Sequence, residues 1–264
     1  MGIVNMTPDS FSDGGRFFSS TVDVLGHVSA MLDDGADIVD VGGESTRPGA
    51  VAVSSVDELN RVRPVIEGIA HKHPDAVLSV DTVKSTVAKA ALEAGAHIVN
   101  DVSGLRLDPA IGAVCAASGA GLVLMHSRGT VSEMGTYTHA NYTDVVADVL
   151  RELGTQLDVA LNAGVPRECI ALDPGIGFGK KSEHSLAMLG ALPRLTSWGH
   201  PVLVGVSRKR FIGEITGVRE PAGRLSGTLG AVVAALALGA RIFRVHDVRP
   251  AREALDVAWK VLSQ

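Results

Sequence analysis

Residues 42–50, Gly-Gly-Glu-Ser-Thr-Arg-Pro-Gly-Ala, combine the backbone and side chains that bind anions. Glycines let backbone N–H groups approach a ligand, Thr46 adds a hydroxyl, and the guanidinium of Arg47 can make a forked pair with phosphate oxygens. A mobile turn with an exposed arginine would have the same composition. The segment therefore indicates a phosphate-binding loop only if other anion-binding groups lie near it.

Two further stretches carry groups of this kind. Arg244 and His246 alternate near the end of residues 241–246, so in an extended strand both side chains point to the same side. We interpret this pair as part of an anion pocket, although a lone histidine at a strand end is usually only structural. Residues 207–210, Ser-Arg-Lys-Arg, open a short helix after another predicted strand, a position that often binds phosphate or carboxylate groups.

Residues 173–180, Asp-Pro-Gly-Ile-Gly-Phe-Gly-Lys, are a candidate for binding a heterocycle. They lack the GxxxxGK[ST] spacing of a P-loop, so a nucleotide cradle is not expected. A buried carboxylate at Asp173 needs partners, which a ligand edge with two adjacent N–H groups would supply. The alternative is a carboxylate that caps the following turn. Asp81, Asn100 and Lys209 complete a polar set suited to a flat nitrogenous ring.

Asn5 and the loop 7–15 after it offer hard oxygen ligands. Asn5, Asp9 and Asp13 would suit Mg²⁺ bound together with a phosphate-bearing substrate. The alternative is a flexible loop rich in capping residues. The sequence contains no His/Cys cluster for zinc or iron and no GxSxG nucleophile elbow. It therefore predicts catalysis by positioning and charge stabilisation rather than by a covalent intermediate.

The elements that must position these residues repeat about every 30 residues, as a short apolar run, a polar residue and then a helical stretch. Runs this short and apolar fit strands buried on both faces of a parallel sheet. They cover residues 2–5, 37–40, 77–81, 97–101, 121–126, 169–173, 201–207 and 241–246. Helical periodicity covers residues 22–35, 56–71, 84–95, 108–119, 143–164, 182–192, 225–239 and 250–262. This order predicts a (β/α)8 barrel with a polar rim at the strand ends, and a doubly wound open sheet is the second choice.

The bulk composition narrows the class of protein. With 264 residues, 46 % of them hydrophobic, and no linker-like segment, the chain is expected to form one domain over residues 1–264. Its net charge of −5 argues against general binding to nucleic acid or anionic membranes. The first residues lack a signal-peptide profile, so a cytoplasmic protein with reduced Cys115 and Cys169 is expected. Residues 225–240 are apolar on nearly every helical face, which favours a homodimer through that helix.

Seven sequence blocks, in their usual order, resemble the signature segments of dihydropteroate synthases. They are MGIVNMTPDSFSDGG, DIVDVGGESTRPGA, SVDT, VNDVSG, LDPGIGFGK, VGVSRKRFIG and RVHDV. The resemblance spans essentially the whole chain. It implies a (β/α)8 barrel of folate biosynthesis, a sulfonamide target, that condenses 6-hydroxymethyl-7,8-dihydropterin pyrophosphate with para-aminobenzoate and uses Mg²⁺.

The resemblance also implies roles for individual residues. Pterin binding falls to Asp81, Asn100, Asp173 and Lys209. Pyrophosphate binding falls to Asn5, Thr46, Arg47, Arg244 and His246, and Mg²⁺ to Asn5 and Asp13. The para-aminobenzoate pocket falls to Phe11, Pro48, Phe178, Lys209 and Arg210. Direct catalytic roles are expected for Thr46, Arg47, Asp13 and Lys209.

One residue and two related functions leave alternatives open at this point. Arg210 stands where some family members have a serine at the para-aminobenzoate carboxylate, so the affinity for substrate and sulfonamides need not match theirs. A related pterin-binding barrel could instead be a methyltransferase, and a paralogue could bind pterin without catalysis. The presence of the Gly-rich loop, the Ser-Arg-Lys segment and the Arg-x-His pair favours the synthase. Asp40 and His126 end predicted strands without an assigned contact.

Overall fold

In the computed structural model, residues 1–7, 21–47 and 49–264 are described. Within them lie eight β-strands: β1 Gly2–Asn5, β2 Ile38–Gly42, β3 Val77–Asp81, β4 Ile98–Asp101, β5 Gly121–Met125, β6 Ile170–Asp173, β7 Leu203–Val204 and β8 Ile242–Phe243. The same residues contain eleven α-helices: α1 Thr21–Asp33, α2 Ser55–Lys72, α3 Ser85–Glu93, α4 Ala110–Ser118, α5 Val131–Met134, α6 Val145–Asn162, α7 Ser182–Gly190, α8 Leu192–Thr196, α9 Arg210–Thr216, α10 Leu225–Ala237 and α11 Val248–Leu262.

The strands are parallel and close into a barrel. β1 to β6 are hydrogen-bonded in chain order, and β7 pairs with β8. Parallel bridges join Leu172 to Val202 and Gly2 to Val245, which links these two groups of strands at both seams. At the second seam the N–H of Val245 donates to the carbonyl of Met1 at 2.9 Å. The predicted (β/α)8 barrel is confirmed, and the open sheet is wrong.

The inside of the barrel changes from apolar to polar along its axis. A small buried cluster fills the end at which the strands begin, formed by Val123, Ala171 and Leu203 with Met1, Ile98 and Ile242 packed against it. Residues farther along the same inward faces are polar, among them Asp40 and Asn100, which are both buried. The carboxyl ends of the strands therefore offer the polar surface for a ligand, as in other barrels of this type.

The helices form because their apolar residues recur at helical spacing. In α6, Val145, Val149, Leu153 and Leu157 are four residues apart and buried against the sheet. The carboxylate of Asp144 accepts hydrogen bonds from the first turn of this helix, at Val146 N and Ala147 N, both at 3.0 Å. No helix in the described part of the chain is long and apolar enough to cross a membrane.

The predicted elements differ from the structure mainly at their ends. The run at residues 182–192 is split into α7 and α8, with Pro193 in the first turn of α8, where it is tolerated. Helix α5 lies in a stretch that the apolar pattern did not identify. The ladder between β7 and β8 is shorter than predicted, so Ser207, Arg244 and His246 lie beyond its paired residues.

Candidate active site

One cavity of about 520 Å³ opens at the carboxyl ends of the strands. The predicted site residues that line it are Asn5, Thr46, Arg47, Asp81, Asn100, Asp173, Phe178, Lys209, Arg210, Arg244 and His246. The remaining predicted residues, Asp9, Phe11, Asp13 and Pro48, lie outside the described residues. The fold therefore brings all the described candidates to one place, while their individual roles stay predictions.

The deepest part of this site is an acidic floor bridged by an arginine. The guanidinium of Arg244 donates from Nε to Asp40 Oδ2 at 2.7 Å and from Nη2 to Asp81 Oδ2 at 2.8 Å. Asn100 Nδ2 donates to the same Asp40 oxygen at 3.1 Å. Sequence reasoning assigned Arg244 to an anion and left Asp40 without a contact. The structure shows that Arg244 also links Asp40 to Asp81.

Two opposing effects act on the carboxyl group of Asp81. Burial raises its pKa to about 7, Arg244 acts in the opposite direction, and the nearby Asp40 raises the pKa further. Burial prevails because Arg244 shares its charge between two carboxylates. Near neutral pH, Asp81 is therefore present in both its protonated and its ionised form.

Asp173 forms the other side of the floor and is 5 % exposed. Its Oδ1 accepts the N–H of Gly175 at 2.7 Å. Burial raises its pKa to about 6, whereas this hydrogen bond and the charges of Lys209 and Lys180 lower it. Gly175 has a φ of +66° and a Cβ there would lie 1.9 Å from the carbonyl oxygen of His126, so only glycine fits.

Lys209 reaches into the cavity over the loop that follows Asp173. Its Nζ lies 4.0 Å from the ring centroid of Phe178, in a cation–π contact. Burial lowers the pKa of Lys209 to about 8, and the carboxylate of Asp173 opposes this decrease. The lysine therefore contacts the aromatic ring of Phe178 and acts electrostatically on Asp173 of the floor.

His246 and Ser207 meet at the opposite wall. The Nδ1 of His246 lies 2.9 Å from Ser207 Oγ, and the His246 backbone N–H donates to the same oxygen at 3.2 Å. Burial lowers the pKa of His246 to about 3, and the cations Arg208 and Arg244 act in the same direction. At neutral pH this imidazole is uncharged, so it would contact an anion as a hydrogen-bond donor rather than as a cation.

The loop that carries Thr46 and Arg47 is anchored at its two ends. Glu44 accepts the N–H of Val53 at 2.7 Å on one oxygen and the ammonium of Lys84 at 2.8 Å on the other. Lys84 also bonds the buried carboxylate of Glu58, whose pKa is raised by burial. The loop thus leaves and rejoins the barrel at one carboxylate.

Sequence reasoning missed several residues that line the cavity. Besides Glu44 they include Tyr137, Lys180, Ser185 and Arg224. Lys180 belongs to the segment 173–180 and could have been found there. Tyr137 follows α5, in a stretch without a strand-end signal, and stands 4.8 Å from the guanidinium of Arg210. Only the tertiary structure brings it to the site.

The predicted metal ligands are described only in part. Asn5 ends β1 and pairs in register with Gly42 of β2, at the mouth of the cavity. Its amide oxygen is a hard donor of the kind that Mg²⁺ prefers. Among the residues that the structure describes, no group of three or more His, Cys, Asp or Glu could hold a metal ion. With Asp13 outside them, the magnesium site stays a prediction.

Comparison with known proteins defines the class of this barrel. The profile of the pterin-binding enzyme family matches residues 1–246. The chain therefore belongs to the pterin-binding enzymes, which agrees with a polar, acidic floor inside a (β/α)8 barrel.

Individual proteins similar to this chain are dihydropteroate synthases. The dihydropteroate synthase of Mycobacterium leprae is 47 % identical over 268 residues, covering 98 % of this chain and 92 % of that one. A Yersinia pestis dihydropteroate synthase solved with a sulfonamide drug is 40 % identical, with a TM-score of 0.93, over 100 % of this chain and 94 % of that one.

A third relative was solved with a bound small molecule. It is the Xanthomonas albilineans dihydropteroate synthase in complex with 7,8-dihydropteroate, 40 % identical with a TM-score of 0.85 over 99 % of this chain and 92 % of that one. The chain is thus similar along its whole length to transferases of the folate pathway. The predicted enzyme class, dihydropteroate synthase, is confirmed, and the methyltransferase and the silent paralogue are not favoured.

Proposed function

We propose that this enzyme joins 6-hydroxymethyl-7,8-dihydropterin pyrophosphate to para-aminobenzoate and releases 7,8-dihydropteroate and pyrophosphate. The observation that carries the proposal is that one cavity combines a buried acidic floor with a cationic wall that includes Arg47 and Arg208. A pterin ring with its N–H donors suits the floor, and the pyrophosphate suits the wall. The complex of a full-length relative with 7,8-dihydropteroate supports the same pair of substrates.

The pterin would lie against Asp81, Asn100 and Asp173. One oxygen of Asp173 is already bonded to Gly175, which leaves the other for an N–H of the ligand. Lys209, beside Asp173, would donate to an acceptor on the ring. The ring then satisfies carboxylates that are otherwise costly to bury, and this exchange favours binding.

The reaction would proceed by dissociative displacement. The C–O bond between the exocyclic methylene and the pyrophosphate breaks, and its electron pair leaves with the pyrophosphate. The lone pair of the arylamine nitrogen then forms the C–N bond, and that nitrogen loses a proton. Arg47 and Thr46 would stabilise the negative charge on the leaving group, with the N–H of His246 beside them.

Magnesium would be held by Asn5 and Asp13 together with the leaving group, and it would supply positive charge to the departing pyrophosphate. The arylamine would lie against Phe178 and Lys209, which contact each other, with Phe11 and Pro48 completing its pocket. Arg210, close to Tyr137, would face its carboxylate.

The test is the release of pyrophosphate from the dihydropterin pyrophosphate, measured with and without para-aminobenzoate and with and without Mg²⁺. We expect turnover that requires both. A well-folded protein that releases no pyrophosphate in the presence of the arylamine would refute the synthase function. Turnover that is unchanged after removal of Mg²⁺ by a chelator would refute the metal requirement alone.

We also propose that two copies of the chain pair through α10. Along this helix Ser226, Gly230 and Ala234 are exposed one turn apart and carry no charge. Leu186 and Ile215, on the adjacent α7 and α9, are 44 % and 63 % exposed. Sedimentation should show a dimer, and Ala234→Arg should give monomers. A monomeric wild-type chain at micromolar concentration would contradict this proposal.

A further inference from the structure

Lys180 is the largest fully buried side chain among the described residues, and no step above uses it. Its Nζ lies 2.8 Å from His126 Nδ1, 3.1 Å from the carbonyl oxygen of Gly175 and 3.1 Å from that of Phe178. An ammonium has three donors, and these three acceptors use all of them. Lys180 is therefore fully engaged with the protein and has no N–H left for a substrate.

The contact with Lys180 determines the proton position on His126. Burial lowers the pKa of Lys180 to about 7. In its ammonium form Lys180 can only donate, so Nδ1 of His126 accepts, and the tautomer with hydrogen on Nε2 donates to Glu152 Oε2 at 2.9 Å. Burial lowers the pKa of His126 to about 4, and the charge of Lys180 acts in the same direction, which keeps the ring neutral. Arg128 Nε holds Glu152 at 2.9 Å. The side chains of Arg128, Glu152, His126 and Lys180 thus form one hydrogen-bonded series that runs from solvent to the loop at residues 175–179.

Lys180, at the inner end of this hydrogen-bonded series, bonds a loop that has little regular structure of its own. Residues 175–179 include three glycines with positive φ, at +66°, +77° and +54°. The loop has one internal turn, from Phe178 N to Gly175 O at 3.0 Å. The two carbonyls bonded by Lys180 are those of Gly175 and Phe178, so the lysine spans the turn that presents the Phe178 ring to Lys209.

We propose that Lys180, oriented by His126 and Glu152, is a positioning residue for the arylamine half of the reaction. Its ammonium holds the backbone of residues 175–178 so that the Phe178 ring stays against Lys209. The role rests on the proposed function, because it matters only if the arylamine binds against these two side chains. Lys180 acts through Phe178 and does not touch the substrate.

The test compares Lys180→Met with Lys181→Met, a change at the exposed neighbouring lysine. We expect Lys180→Met to raise the KM for para-aminobenzoate about ten-fold, equivalent to about 1.4 kcal/mol. Affinity for the dihydropterin pyrophosphate, measured by calorimetry at pH 8 to keep Asp173 ionised without the charge of Lys180, should stay within about two-fold. Lys181→Met should behave as wild type. An equal loss of pterin affinity in Lys180→Met would show a general structural defect and overturn the proposal.

A double-mutant cycle with Phe178→Ala decides whether Lys180 acts through the ring. If it does, adding Lys180→Met to Phe178→Ala raises the arylamine KM by less than about two-fold. Independent effects that multiply would refute the coupling. Wild-type turnover is measured first: its absence refutes the proposed function, whereas turnover with multiplying effects refutes only the positioning role.

Substitutions at His126 test the same hydrogen-bonded series without changing the lysine. Glutamine can accept from Lys180 and donate to Glu152, whereas leucine can do neither. We expect His126→Leu to raise the arylamine KM as Lys180→Met does, and His126→Gln to restore it. Equal KM values for the two variants would contradict the proposal. If the buried substitutions prevent folding, Glu152→Ala, at a side chain 26 % exposed, breaks the hydrogen-bonded series at its outer end and decides by the same KM comparison.

Discussion

Asp173→Asn should separate folding from ligand binding, because the same carboxylate is unfavourable for one and required for the other. The side chain is buried, and its pKa is raised from 3.8 to about 6, mainly by burial. Asparagine keeps an oxygen for the N–H of Gly175, which Asp173 Oδ1 accepts at 2.7 Å, and removes the charge. The two consequences have opposite signs.

At high pH, Asp173→Asn should be more stable than the wild type. The carboxyl group of Asp173 has a higher pKa in the folded state than in the unfolded state. Its contribution to stability is fully present below the unfolded pKa of 3.8 and is lost as the pH rises through the folded pKa of about 6. Above that pH, the difference between 3.8 and about 6 corresponds to about 3 kcal/mol of destabilisation. We therefore expect Asp173→Asn to raise the free energy of unfolding by up to about 3 kcal/mol at pH 8. Near pH 4 the difference should disappear.

Pterin affinity should fall. The variant loses one charge-assisted hydrogen bond, about 2 kcal/mol, and turns its amide N–H₂ toward a ligand donor, which costs about 2 kcal/mol more. The sum of about 4 kcal/mol corresponds to a roughly 1,000-fold weaker Kd. For the wild type, affinity should increase as the pH rises through about 6, because the carboxylate form accepts the N–H donors.

Two measurements check this reasoning. Denaturant unfolding of both proteins at pH 4 and pH 8 gives the stability difference, and calorimetry with the dihydropterin pyrophosphate at pH 8 gives the affinity. A variant less stable than wild type at pH 8 would show that the buried charge is not costly. Retained affinity would refute the assignment of Asp173 to the pterin edge.

Three further predictions concern other parts of the molecule. Arg47→Ala should lower kcat roughly 10–100-fold while pterin affinity changes less, and unchanged turnover in steady-state assays would refute its role at the leaving group. Glu44→Gln keeps one acceptor oxygen but loses the ion pair with Lys84. We expect kcat to fall several-fold while the pterin affinity, measured by calorimetry, is retained. A loss of both would contradict a role limited to the loop. Burial raises the pKa of the Cys115 thiol to about 12, whereas Cys169 is only partly buried. A thiol reagent should therefore modify Cys169 alone in the native protein. Fast modification of both cysteines would show that Cys115 is accessible.

Much of the fold could be predicted from the chain because its signals are local. Apolar runs ending in a polar residue marked the strands, and the apolar residues of α6 recur every four positions. Element ends were less predictable. The break between α7 and α8 depends on packing as well as on Pro193, and the short ladder of β7 and β8 depends on how the barrel closes.

The candidate site could be predicted as a set of residues but not as a set of contacts. Arg244 was recognisable as a cation beside a strand end. Its partners, Asp40 and Asp81, lie 204 and 163 positions away in sequence, and no local pattern reports such distances. His126 was left without a partner for the same reason, since Lys180 and Glu152 reach it from β6–α7 and from α6.

Residue types alone predicted the available chemistry: carboxylates and an amide that suit a heterocycle, cations that suit an anion, and catalysis without a covalent intermediate. Residue type and strand-end position are enough for that, because parallel strands bring their carboxyl ends to one rim. Which charges are shared, which are buried and which side chains support others could be seen only in the folded barrel. Those properties depend on distances of a few ångströms and on exclusion of water, and both arise when the barrel closes.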